Sequence, residues 1–71
     1  MRRETAEFII YIINKISNKT GLYPSRIYSE MEKTGCITGY LVPFFDVLHT
    51  MSSESAAEDV LAYVRLRGSE I

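Results

Sequence analysis

Between Glu4 and Lys19 the chain sets Ala6, Ile9, Ile12, Ile13 and Ile16 at the i, i+3, i+4, i+7 spacing of one helical face. At about 100° per residue, Phe8 and Ile10 fall on the two flanks of that face, and Glu7, Tyr11, Asn14, Lys15 and Asn18 fall opposite. The apolar arc is wider than the ~100° stripe of an ordinary surface helix. Isoleucine also suits a buried strand, but the segment is too long and its polar residues keep helical spacing. The spacing predicts a helix over 4–19 that must be covered on most of its circumference.

The chain has little material for that cover. Seventy-one residues make one domain, 1–71, and bury only roughly 60% of the surface the unfolded chain exposes. Cys36 is the single cysteine, so no disulfide can close within the chain, and His49 is the single histidine, so no structural zinc set exists. A hydrophobic content of 46% excludes a disordered tail. Eight basic against nine acidic residues give net charge −1 and no electrostatic case for nucleic acid.

The opening Met1-Arg2-Arg3-Glu4 and the apolar run Phe8–Ile13 superficially suggest a secretory signal. The uninterrupted run is six residues long, flanked by Glu7 and by Asn14-Lys15, against the ~7–15 a signal needs. It is also far below the ~20 residues that span a bilayer. Export and membrane insertion are rejected, and a cytoplasmic location is expected.

Further helices follow from punctuation. Gly21 sits where a left-handed glycine closes a helix, and Pro24 suits the first turn of the next. The second helix is predicted over 24–33, with Ile27, Tyr28 and Met31 inward and Arg26, Glu30 and Lys33 outward; Gly35 ends it. The third is predicted over 39–49, with Thr38 as its cap, a bend or late start at Pro43, and Leu41, Phe44, Phe45 and Leu48 as its buried face. Ser55-Ala56-Ala57-Glu58 matches a capping box for a fourth helix over 55–67. Its inner stripe is Ala57, Val60, Leu61 and Val64, with Tyr63 at the edge; Arg65 and Arg67 complement its dipole and Gly68 stops it. No segment alternates as a half-buried strand, so an all-α bundle of about four helices is expected.

Chemical constellations are sparse. His49, Asp46 and Cys36 are the only candidates for a mixed metal site, with Asp46 and His49 three apart on one helix, but a catalytic zinc wants three protein ligands, so no metal or cofactor is expected. A thiol at Cys36 could be activated near a helix start, yet His49 lies roughly 15–20 Å away along a continuous helix. The four glycines mark helix ends rather than a phosphate loop. No catalytic residue is assigned, and the protein is expected not to be an enzyme. Helices 24–33 and 39–49 have the lengths of a helix-turn-helix, the alternative reading as a DNA-binding regulator. The would-be recognition helix, however, offers no basic residue to base edges.

What remains is apolar and aromatic surplus. Eight aromatic residues sit in a body too small to bury all of them, and Leu66 falls on the solvent face of the last helix. Phe8, Ile10, Tyr11, Tyr40, Phe44, Tyr63 and Leu66 are therefore the candidate interaction residues. A homo-oligomer, most simply a dimer, or a protein partner would cover them, and oligomerisation is a common remedy for a small core.

The chain also resembles a family of short bacterial proteins of unknown function. The likeness rests on Glu4–Phe8 in a strongly apolar first helix, on Phe45-Asp46-Val47-Leu48-His49-Thr50, and on Glu58-Asp59-Val60 followed by Tyr63-Val64. Leu48-His49-Thr50 is its distinctive step; Gly39 and Pro43 depart from the pattern. The resemblance implies a bacterial origin, genomic company with toxin-like proteins, some ADP-ribosyltransferase-like, and an accessory or antitoxin-like role. It implies no catalytic residues.

Overall fold

The computed structural model describes residues 2–71. Helix α1 spans Arg3–Thr20, α2 Pro24–Lys33, α3 Phe45–Leu48 and α4 Ser53–Leu66, with a π-helical turn at Ile37–Leu41 between α2 and α3. No strand occurs among the described residues. The all-α expectation holds, as a small bundle measuring 27 × 22 × 18 Å.

α1 is the central element, with α2 and α4 both packed against it. Ile9, Ile12, Ile13 and Ile16 are buried, as their spacing requires; Thr5 is buried with them, on the same face one turn earlier. Ile27 and Met31 of α2, Cys36, Ile37 and Leu41 around the π-turn, Leu48, and Ala56, Ala57, Val60, Leu61 and Val64 of α4 complete one hydrophobic cluster. Full burial of a Val, Leu, Ile or Met side chain contributes roughly 1.5–3 kcal/mol, so these positions carry the fold.

The helix ends follow the glycines. Gly21 (φ 76°) donates its N–H to the Ser17 carbonyl at 2.9 Å and closes α1. At the end of α4, Gly68 (φ 93°) donates to Arg65 and Ser69 to Val64, both at 3.1 Å, a paired closure that occupies two otherwise orphaned carbonyls. Pro24 takes the first turn of α2, where no N–H is needed.

The structure corrects the third helix. The predicted helix over 39–49 is instead the π-turn, a turn at residues 42–44, and the single-turn α3. Val42 donates to the Ile37 carbonyl five residues back at 2.9 Å, and Pro43 then supplies no N–H to continue the ladder. The wider turn keeps Ile37 and Leu41 on the core side while Phe44 swings outward, half exposed rather than on the buried face. Thr38 lies inside the π-turn and caps nothing.

The start of α4 also differs. Ser52, not Ser55, is the N-cap, and its Oγ accepts the Ser55 N–H at 3.2 Å. The helix therefore begins at Ser53, and the backbone N–H of Ser55 is a donor to the cap rather than Ser55 being the cap itself. On α2, Tyr28 turns outward and donates its hydroxyl to Glu32 at 2.6 Å. Glu30, expected outward, is part-buried and accepts a 2.8 Å hydrogen bond from Ser69 Oγ, which ties the C-terminal tail to α2.

Candidate interaction surface

The π-turn and α4 together build an aromatic row. Tyr40 lies parallel to Tyr63, with ring centroids 4.8 Å apart and planes inclined by 9°. Phe44 sits 5.7 Å beyond Tyr40. At the other end the Arg67 guanidinium lies over the Tyr63 ring, 4.4 Å from its centroid. Tyr63 is thus held between Tyr40 and Arg67. Its hydroxyl approaches the backbone at Gly39, where an added Cβ would stand only 3.3 Å from it. The sequence signal for this register, Gly39 before Tyr40, reads as a helix start and conceals the close approach. The Tyr40 hydroxyl is pushed above its ordinary value, first by desolvation and then by Asp59 and Cys36, so the phenol stays neutral beside α4.

The seven candidate residues therefore separate. Tyr40, Phe44 and Tyr63 are brought together in the row. Leu66, at 88% the most exposed large apolar side chain among the described residues, lies three residues beyond Tyr63 on α4. Phe8 goes elsewhere: it is half-buried, edge-on to Phe45 with centroids 5.5 Å apart. Ile10, 59% exposed, lines an apolar groove of about 210 Å³ between α1, α2 and the π-turn, together with Ala6, Ile9, Tyr28 and Ile37. Tyr11 is exposed on the polar side of α1. Sequence reasoning missed Val47, 61% exposed one turn after Phe44; only the break at Pro43 signals that this segment turns its apolar residues outward. It also missed Arg67 as the partner of Tyr63, although the two stand four residues apart at a spacing that brings side chains together on one helix face.

Leu48, His49 and Thr50 take structural places. Leu48 is buried. His49 caps α3, its N–H bonded to the Phe45 carbonyl at 3.0 Å and its ring 4.7 Å from the Phe45 ring. Thr50 donates its hydroxyl to the Val47 carbonyl at 2.7 Å and closes the turn. Asp46 pairs instead with Arg2 at 3.4 Å on the surface. Cys36 is fully buried, and desolvation pushes its thiol up to about 11, the opposite of an activated nucleophile. Among the described residues no three His, Cys, Asp or Glu side chains are grouped to hold a metal ion, and no helix is long and apolar enough to cross a membrane.

Ion pairs link the first and last helices. Lys15 and Lys19 of α1 reach Glu54 of α4 at 3.3 and 3.0 Å, and Lys19 also reaches Glu58 at 3.6 Å. The Lys19 and Lys15 ammonium groups hold the Glu54 carboxyl below its ordinary value.

The class these features define is a small all-α protein that carries a stacked aromatic row with a half-exposed phenylalanine at its edge. By sequence the chain belongs to a family described as "Protein of unknown function (DUF3791)", whose model matches residues 7–67. Neither a curated protein nor a solved structure matches it.

Proposed function

We propose that the protein is a non-enzymatic helical interaction module that acts by docking onto another protein surface, a second copy or an accessory partner. The observation that carries this reading is the aromatic row: Phe44 is 50% exposed, and the rings behind it are stacked in place. Pre-positioned Tyr, Phe and Arg side chains lose little rotamer freedom on binding, and interfaces concentrate energy in such residues. The candidate nucleophile is buried and protonated, and the single histidine serves as a helix cap packed on Phe45. Both facts favour binding over catalysis. The likeness through Leu48-His49-Thr50 extends the proposal to a bacterial, cytoplasmic accessory or antitoxin-like protein. The regulator alternative has less support: the segment 39–49 that would read base edges is divided at Pro43 and carries no Lys or Arg.

Equilibrium sedimentation across the micromolar range, together with recovery of a tagged chain from cells, tests the reading. Association that weakens when Phe44 is changed to Ser supports it. A clean monomer from which no specific partner is recovered overturns it.

A further inference from the structure

The charges on α4 are ordered along its length. Glu54, Glu58 and Asp59 occupy the first half, and Arg65 and Arg67 the end. Glu54 and Arg65 complement the helix dipole in the first and last turns. Glu54 and Glu58 are further engaged by the lysines of α1, and the Arg65 guanidinium is bonded to the Ile71 carbonyl at 2.8 Å. Asp59 has no such account. It sits mid-helix, where aspartate is a poor helix former, and it makes no salt bridge among the described residues; nor does Arg67.

Asp59 and Arg67, the latter lying over the Tyr63 ring but free of any carboxylate partner among the described residues, are placed symmetrically, four residues before and four after Tyr63. At 1.5 Å per residue each stands about 6 Å along the helix from it. Leu66 lies on the same side of α4, and Tyr40 and Phe44 extend that side across the π-turn.

We propose that a second copy of this chain docks on this face, the two α4 helices running antiparallel about a two-fold axis near Tyr63, so that Asp59 of each copy faces Arg67 of the other. An isologous contact makes every pair occur twice. Only the antiparallel arrangement sets the acidic half of one α4 against the basic end of the other; a parallel one opposes like charges. The required area sets the extent. A standard interface takes about 800 Å² from each partner, close to a fifth of this chain's 4407 Å². That is more than one face of a 14-residue helix presents, so Phe44 and Tyr40 belong to the contact. This assignment rests on the interaction-module reading and names the second copy as its partner.

The test is a charge swap read by sedimentation. Asp59→Arg and Arg67→Asp are made separately in the full chain, with circular dichroism confirming folding. In a homodimer of either variant the two facing pairs become like-charged, and association should weaken by about tenfold or more. Mixing the two variants restores opposite charges at both pairs, so the mixture should dimerise near the wild-type strength. Because Arg67 also holds Tyr63, Leu66→Asp serves as the second variant; its side chain is outside the core, and it should weaken the dimer without lowering helicity. A wild-type chain that stays monomeric overturns the dimer. A wild-type dimer that ignores the swaps, or singly weakened variants that do not recombine, overturns this register and leaves the general reading standing.

Discussion

Two isoleucines on the same helix, two residues apart, give the sharpest test of the packing. Ile12 is completely enclosed and Ile10 is mostly in water. Removing one methylene from an enclosed isoleucine costs about 0.5–1.5 kcal/mol, the lost transfer energy plus the cavity left behind. The same Ile→Val change at a surface site stays within about 0.5 kcal/mol. A domain of this size loses roughly 4–8 °C in Tm per kcal/mol, so Ile12→Val, at about 1 kcal/mol, should melt about 4–8 °C lower and Ile10→Val should stay within about 2–4 °C of wild type. Ile12→Ala enlarges the cavity and should cost about 2–5 kcal/mol. That is a large share of the roughly 4–10 kcal/mol available to a chain this short. Thermal unfolding followed by far-ultraviolet circular dichroism, at a concentration low enough to keep association out, measures all three. Equal losses for the two valine variants would refute the burial argument, because they would show Ile10 enclosed as fully as Ile12.

Other positions give independent checks. Ser52→Ala should destabilise by about 0.5–2 kcal/mol through loss of the α4 cap, and Ser55→Ala by less, in urea titrations; the reverse order would reinstate the capping box at Ser55. Gly21→Ala should cost about 1–2 kcal/mol in the same assay from the left-handed backbone alone, since nothing lies within 4 Å of the added Cβ. The Cys36 thiol, enclosed and raised to about 11, should react with a thiol reagent at pH 8 only as fast as the chain opens. Its protonated form is favoured in the folded state, so its contribution is intact below the unfolded value of about 9 and falls as pH rises from there to about 11. The slope over that window is at most about 1.4 kcal/mol per pH unit, readable from denaturant midpoints in a Cys36→Ala comparison.

The buried faces of α1, α2 and α4 were legible because their burial obeys one period. Ile9, Ile12, Ile13 and Ile16, then Ile27 and Met31, then Ala57, Val60, Leu61 and Val64, all lie where 3.6 residues per turn puts them. The same rule fails between Ile37 and Leu48 because the period itself changes. A turn closed by Val42 on Ile37 advances by fewer degrees per residue than an α-helix. A wheel drawn at 100° therefore carries Phe44 into the core when the backbone carries it out. Pro43 marked the trouble without saying which way the chain would turn. Tyr28 and Glu30 were misplaced for a different reason: their positions depend on Glu32 and on Ser69, a tail residue 39 positions away. No local pattern contains that second contact.

The candidate surface was legible as a composition and not as a place. The surplus of aromatics identified Tyr40, Phe44 and Tyr63, but not the close approach of the Tyr63 hydroxyl to the backbone at Gly39, where a side chain would crowd it. This makes Gly39→Ala an informative substitution. Gly39 has an ordinary negative φ, so alanine relieves the entropy cost of glycine in a helical turn by up to about 1 kcal/mol. Against that, the Tyr63 hydroxyl must retreat by a few tenths of an ångström from a 3.3 Å contact while its ring is confined between Tyr40 and Arg67. If the row is as rigid as its geometry indicates, the variant should lose near-ultraviolet tyrosine ellipticity, keep its far-ultraviolet helicity and associate more weakly. Gly39→Ala combined with Tyr63→Phe, which removes the hydroxyl in conflict, should recover the association and match the near-ultraviolet spectrum of the Tyr63→Phe single variant. A Gly39→Ala chain with an unaltered tyrosine spectrum would show that Tyr63 gives way freely, and the row would then offer no pre-positioned surface for a partner.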